Sequence, residues 1–213
     1  MKIIKYRIID STYAEAGRLS DGRLPAGEYL LLADGQTAGR GRGDHTFHSP
    51  PGNGIYATLL IIPSAPVDAS LTEKITEAAA VCLTEAVDAA TGYGERLSVK
   101  PINDLMFDGL KYGGILCGAK VSETDGRKLL AVKIGYGIDL GQAELPPGAV
   151  SLNWTGDAGA LAADGAERIV SRFRRGVIGE TEDGSGTAPE GILDRELEEK
   201  YRFLTERFFR KRV

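Results

Sequence analysis

Residues 97–121, LSVKPINDLMFDGLKYGGILCGAKV, decide the fold class. They contain three short runs of strand character, 97–100, 105–107 and 111–121, and the last two flank Asp108-Gly109. Asp-Gly supplies the two positive-φ positions of a tight hairpin turn, so adjacent antiparallel strands are expected here rather than a helix. A second turn at 122–127 leads into another run, 128–134, which extends the same meander. Gly135-Tyr136-Gly137-Ile138-Asp139-Leu140 then places two glycines at the expected strand end. There they mark either a bulge or a close approach of backbone to a ligand.

Upstream, Ser70-Leu71-Thr72-Glu73 has capping-box spacing. Leu71, Ile75, Ala78, Cys82 and Val87 recur at near-helical intervals up to Gly92, predicting a helix whose apolar stripe packs on a sheet. Further back, 28–33 and 55–62 are apolar runs, and between them DGQTAGRGRGDHTFHSPPGNGIYAT, residues 34–58, reads as a long loop without secondary structure of its own. In a compact domain such loops usually bind something or act as lids. Gly39, Gly41 and Gly43 alternate with Arg40 and Arg42, so a permissive backbone carries guanidinium forks suited to wrapping an anion. The chain opens with a strand-like run at 3–9 followed by Asp10-Ser11-Thr12. Thr12 and Glu15 stand in capping-box spacing ahead of a short helix to about Leu19, a helix start also placed to receive a polar ligand group.

Downstream, 146–159 reads as loop, and Leu161, Ile169, Val170 and Phe173 predict a helix to about Val177, weakened by Gly165. Residues 179–191, GETEDGSGTAPEG, read as a flexible linker. Leu193, Leu197, Tyr201, Leu204 and Phe208 form a helical stripe within 192–213, acidic at its start and basic at its end as the helix dipole favours.

Composition bounds the function. With 213 residues and 42% hydrophobic content the chain can bury one sizeable core. A net charge of -4 provides no basic field, and no local patch replaces it, so nucleic acid is not an expected partner. No run reaches the length of a membrane span and the N-terminus lacks a signal-peptide core, so a cytoplasmic protein without membrane attachment is expected. Cys82 and Cys117 are the only cysteines and read as reduced, buried thiols. His45 and His48 lack a third ligand at a persuasive spacing, so no protein-held metal is expected. Arg42-Gly43-Asp44 matches an adhesion tripeptide, which carries little weight in a chain without a signal peptide.

Three clusters occur in order: the Arg-Gly loop, Lys100-Pro101-Ile102-Asn103-Asp104, and Lys111 ahead of Gly113-Gly114. GQTAGRGR followed by TFHSPPGNGIYATLLI resembles the Gly-Arg loop and following strand of the biotin protein ligases. KPINDLMFDGLKYGGIL is similar to their Lys-Trp-Pro-Asn-Asp…Lys…Gly-Ile-Leu block. DST at 10–12 and GYGIDL at 135–140 match two weaker signatures of the same family, so the resemblance spans about 10–177.

That resemblance implies an α+β domain, with a mixed, largely antiparallel sheet, helices mainly on one face and the ligand site on the other. It divides the chain into a catalytic domain at 1–178, the linker at 179–191 and a C-terminal amphipathic helix at 192–213, with neither an N-terminal helix-turn-helix nor a C-terminal β domain. The implied enzyme is an ATP-dependent biotin–[acetyl-CoA-carboxylase] ligase. It activates biotin with ATP and magnesium to biotinyl-5'-AMP, then transfers biotin to a lysine of a biotin carboxyl carrier domain. By the same resemblance Lys111 neutralises the reacting carboxylate and α-phosphate, and Arg40 and Arg42 hold the adenylate beneath an ordering loop. Ser11, Thr12, Gln36, Gly39, Arg40 and Gly114 serve biotin. Asn103, Asp139 and Lys111 serve the nucleotide, and Asp104 is suited to accepting a proton from the incoming lysine. The chain departs from the family pattern at Tyr13, where Asn is usual; at Pro101-Ile102, for Trp-Pro; at Asp139, for Asn; and at Asp44-His45, for a Gly-Arg pair. Lipoate or octanoate ligases and transferases, which share the fold and a catalytic lysine, are the alternative acyl chemistry, and a non-catalytic biotin- or adenylate-binding relative is the alternative class. Either a monomer or a homodimer is compatible with this reading.

Overall fold

The computed structural model describes residues 1–65, 67–180, 186, 188–189 and 191–210. Much of the expected linker at 179–191, and residues 211–213 of the expected terminal helix, therefore lie outside the described residues. In chain order the elements are β1 (Lys2–Ile9), α1 (Thr12–Ser20), β2 (Gly27–Gln36), β3 (Gly54–Ile62), β4 (Val67–Asp68), α2 (Ile75–Thr91), β5 (Leu97–Lys100), β6 (Asp104–Phe107), β7 (Leu110–Val121), β8 (Lys128–Asp139), α3 (Ala158–Phe173) and α4 (Arg195–Arg210).

All eight strands join one sheet in the order β1-β2-β3-β8-β7-β6-β5, with β4 attached to β8. Among the described strands only β1 and β2 pair in parallel, linked by a crossover through α1; the other strand pairs are antiparallel. The mixed, mostly antiparallel sheet implied by the family resemblance, and consistent with the expected meander, is thus the fold observed.

Strand periodicity sorts the side chains onto two faces. Leu30, Ala57, Leu59, Ile61 and Ile134 point into the large core shared with α2, α3 and α4. Their neighbours Tyr29, Leu31, Leu60 and Ala131 point the other way, into a smaller cluster capped by Ala16 of α1. Because α1 covers only part of that second face, the rest of it is open as a cleft. On the first face Gly165 brings α3 close to α2, since a Cβ there would lie 2.7 Å from Leu83 Cδ2. The glycine that weakens the helix signal is thus a packing device. α4 packs on α2 and β5, burying Leu197, Leu204 and Phe208, and Arg207 donates to the carbonyls of Gly94 and Leu97 at 2.9 Å each.

The Asp108-Gly109 turn forms with φ of 48° and 81°, as the hairpin signal requires. Several other boundaries differ from the sequence reading. Ser11, not Thr12, caps α1, its hydroxyl accepting from the Ala14 N–H at 3.4 Å, so Thr12 is already helical and its hydroxyl is released for other partners. The expected capping box at 70–73 instead forms a separate 3-10 turn, Ala69–Thr72, and α2 begins only after Lys74, whose φ of 61° breaks the helix. β8 does not stop before its glycines but runs through them to Asp139. Residues 158–159 belong to α3, capped by Asp157, rather than to the preceding loop. Lastly, the stretch 34–58 is not structureless. β2 extends to Gln36 and β3 starts at Gly54, and the intervening residues fold back on themselves through Gly41 N–H to His45 O at 2.8 Å and Phe47 N–H to Gly39 O at 2.9 Å.

Candidate functional site

The open part of the second face holds a cleft of about 750 Å³, within the range of small-molecule sites. Its floor is set by strand register. Thr58 of β3 pairs with Gly135 of β8, which pairs with Leu116 of β7; one step along, Tyr56, Gly137 and Gly114 align in the same way. Thr58, Leu116, Gly135, Gly137 and Gly114 all line the cleft. Glycines supply three of these five positions, so the floor lies close to the strand backbone. Those at 135 and 137 accommodate rings of the protein itself: a Cβ at Gly135 would lie 3.0 Å from the Tyr13 ring, and one at Gly137 would overlap the ring of Phe47.

One end of the cleft is a chain of hydroxyls and an amide. The buried Thr58 hydroxyl donates to Thr12 Oγ1 at 2.9 Å, and Thr12 donates to Gln36 Oε1 through both its N–H, at 2.8 Å, and its hydroxyl, at 3.2 Å. Gln36 in turn donates to Ser49 Oγ at 2.9 Å, and Ser49 to the Phe47 carbonyl at 3.0 Å. Each group orients the next, so the end presents a rigid polar wall to any head group that reaches it. Ser11 lines the same end.

The other end is cationic. Lys111 Nζ lies 2.6 Å from Asp104 Oδ1, and Lys100 Nζ 3.2 Å from Asp104 Oδ2. Burial pushes the Asp104 carboxyl up, but the two ammoniums outweigh that and hold it below the usual carboxylate range. In this arrangement Asp104 positions lysines and is a weak base. Gly114 leaves Lys111 its room, because a Cβ there would meet Lys111 Cε and Nζ at 3.3 Å. The glycine therefore sits beside the lysine rather than beside the hydroxyl chain. Residues 145–149 form the adjacent wall, held to β7 by Lys111 N–H to Gly148 O at 3.1 Å and Val150 N–H to Lys111 O at 2.8 Å.

Over the cleft lies the tongue formed by residues 37–53. A bridge between Arg40 and Thr46 stiffens it, and Arg42 at its tip donates to Asn103 Oδ1 at 3.4 Å, reaching the turn between β5 and β6. Gly39 does not line the cleft; it lies at the tongue's base, where a Cβ would sit 2.7 Å from Ser49 Oγ and overlap the Phe47 carbonyl. Asp139 closes the floor. Its carboxyl is 6% exposed with Oδ1 lacking a partner, and burial raises it to about 7 despite the opposing charge of Lys111. Among the described residues no group of three His, Cys, Asp or Glu is disposed to hold a metal ion.

The fold therefore brings Ser11, Thr12, Gln36, Arg40, Arg42, Asn103, Asp104, Lys111, Gly114 and Asp139 to one cleft. Sequence reading passed over Thr58 and Phe47, because a threonine in an apolar strand and an aromatic in a loop have no local mark of a site. It passed over the wall at 145–149 for the same reason, since Pro-Pro-Gly reads only as loop.

Comparison with known proteins adds the lineage. The model of the Biotin/lipoate A/B protein ligase family matches residues 7–139. The chain is 36% identical over 140 residues to a bifunctional ligase/repressor BirA of Bacillus spizizenii, covering 66% of this chain and 41% of that protein. It is 35% identical over 185 residues to a biotin–[acetyl-CoA-carboxylase] ligase of Paracoccus denitrificans, covering 87% of this chain and 65% of that one. The chain thus spans about two fifths of the Bacillus relative and just under two thirds of the Paracoccus one. In fold it is similar to the biotin protein ligase of Aquifex aeolicus solved with biotin and ATP, with a TM-score of 0.64, 23% identity, and coverage of 92% of this chain and 93% of that one.

Proposed function

Because the chain belongs to the Biotin/lipoate A/B protein ligase family, we propose that it joins biotin to ATP as biotinyl-5'-AMP and passes the biotinyl group to a lysine of a carboxylase carrier domain. The observation that carries this reading is the polarity of the cleft. A fixed hydroxyl chain from Thr58 to Ser49 occupies one end and Lys111 the other; Arg42 of the tongue reaches Asn103 near the lysine, and Arg40 lines the cleft within electrostatic range of Tyr13 and Lys133. An acid with a polar head and a distant carboxylate matches that distribution.

In the first step a carboxylate oxygen attacks the α-phosphorus and pyrophosphate leaves with the electrons of the broken P–O bond. Two anions must approach, so the chief requirement is fixed positive charge at the meeting point. Lys111 supplies it by exchanging its Asp104 partner for the reacting oxygens, and Arg40 and Arg42 supplement it from the tongue. In the second step the lysine amine attacks the acyl carbon and AMP departs. Between the steps the mixed anhydride must be kept from water, a task suited to the tongue. Magnesium is expected to arrive as part of the nucleotide, since it is commonly bound through substrate phosphates and few protein ligands.

The test is acid-dependent exchange of pyrophosphate into ATP. Exchange is expected with biotin and is expected to drop by about 10²–10³-fold in Lys111→Met, the loss typical of removing one electrostatic stabiliser. The family description also covers lipoate ligases, so exchange with lipoate or octanoate alone would replace biotin as the substrate. No exchange with any of these acids would leave a binding protein.

A further inference from the structure

We propose that Tyr13 is the wall that sets the size of acid head group the cleft accepts, an inference that rests on the acid-activating reading above. The ring stands at the hydroxyl-chain end of the cleft, on the residue following Thr12. Its placement depends on two missing side chains. A Cβ at Gly118 of β7 would overlap the Tyr13 hydroxyl, and one at Gly135 of β8 would lie 3.0 Å from Tyr13 Cδ2. The neighbouring strands are therefore bare where the ring lies down, and the ring fills the volume that their side chains would otherwise take.

The polar chain is immediately adjacent. A Cβ at Gly135 would lie 3.5 Å from Thr58 Oγ1, so the hydroxyl that starts the chain and the edge of the Tyr13 ring flank the same floor glycine. A head group held by Thr58 and Thr12 abuts the ring. The ring is itself held from behind: Lys133 Nζ lies 4.3 Å from the ring centroid, and the lysine does not line the cleft. A cation over the ring face resists its rotation. Lys133 is in turn confined by α1, where a Cβ at Gly17 would come within 3.3 Å of its ammonium. Helix, ring and lysine thus form a backed partition rather than a loose side chain at the mouth.

Two substitutions move this partition in opposite directions. Tyr13→Ala removes it, and Gly118→Ala pushes the ring toward the cleft. The measurement is pyrophosphate exchange with biotin and with biotin alkylated on a ureido nitrogen, scored as the ratio of their kcat/KM values, with thermal melts confirming that each variant is folded. Tyr13→Ala is expected to lower the preference for biotin by about tenfold or more, the scale set by a few atoms of fit in an apolar pocket. Gly118→Ala is expected to raise that preference and to raise KM for biotin, and Tyr13→Phe to retain most of the discrimination. Ratios within twofold of wild type in both alanine variants would overturn the proposal while leaving the acid-activating function intact. Absence of biotin exchange in the wild-type protein would overturn both together.

Discussion

Asp139 carries a cost that can be read as a pH dependence. An aspartate in an unfolded chain titrates near 3.8, whereas burial brings this one to about 7. Between those values the folded protein holds a proton that the unfolded chain has already released, so the contribution of this group to stability falls as pH rises through the window and is flat above it. At 1.36 kcal/mol per pKa unit the full cost is on the order of 4 kcal/mol, an upper bound for a group this close to a lysine. Asp139→Asn removes the titration. The urea midpoint of the wild-type protein is expected to decline relative to the variant from about pH 4 to about pH 7, and the two curves to stay parallel above that; curves parallel throughout would refute the buried titration. Lys111, Arg40 and Arg42 announce themselves in the sequence because charge beside glycine is a local signal. The burial of Asp139 does not, because it is set by strands that come together only in the fold.

The tongue and its anchor are the elements on which the site depends. Phe47 rests on Gly137, its ring also meeting Tyr56 edge-on with centroids 6.4 Å apart, and the hydrogen bond from Phe47 N–H to Gly39 O ties this anchor to the arginine-bearing side. A methyl group at position 137 has no space beneath that ring. Gly137→Ala is therefore expected to lift Phe47 and loosen the tongue, costing roughly 1–3 kcal/mol of stability as overpacking usually does. Cleavage by trypsin at Arg40 and Arg42 should accelerate several-fold, and an unchanged cleavage rate would show that Phe47 does not anchor the tongue. The two strands flanking the tongue and the Asp108-Gly109 hairpin were legible because hydrophobic runs and turn residues act over a few positions. The tongue's anchorage to the floor was not legible, since it depends on a contact between residues 47 and 137, far apart in the chain.

At the scale of the molecule, the terminal helix shares the main core. Leu197 is fully buried among residues of that core, and Leu204 and Phe208 continue the same buried stripe along α4. Leu197→Ala is expected to cost about 2–5 kcal/mol, the usual range for a buried leucine. Because the core is continuous, far-UV circular dichroism and Trp154 fluorescence are expected to report one shared transition; two separated transitions would mean that α4 unfolds as a unit of its own. The helical stripe itself was plain in the sequence, but its destination was not, since periodicity reports a buried face and not the surface that covers it.

The order of strands also bears on synthesis. β8 is inserted between β3 and β7, and it carries the floor of the cleft at Gly135, Gly137 and Asp139. A chain emerging from the ribosome N-terminus first therefore exposes Thr12, Gln36 and both tongue arginines long before their floor exists. Throughout that interval β3 has an open edge, and the binding site comes into being only when residue 139 has emerged and β8 has entered the gap.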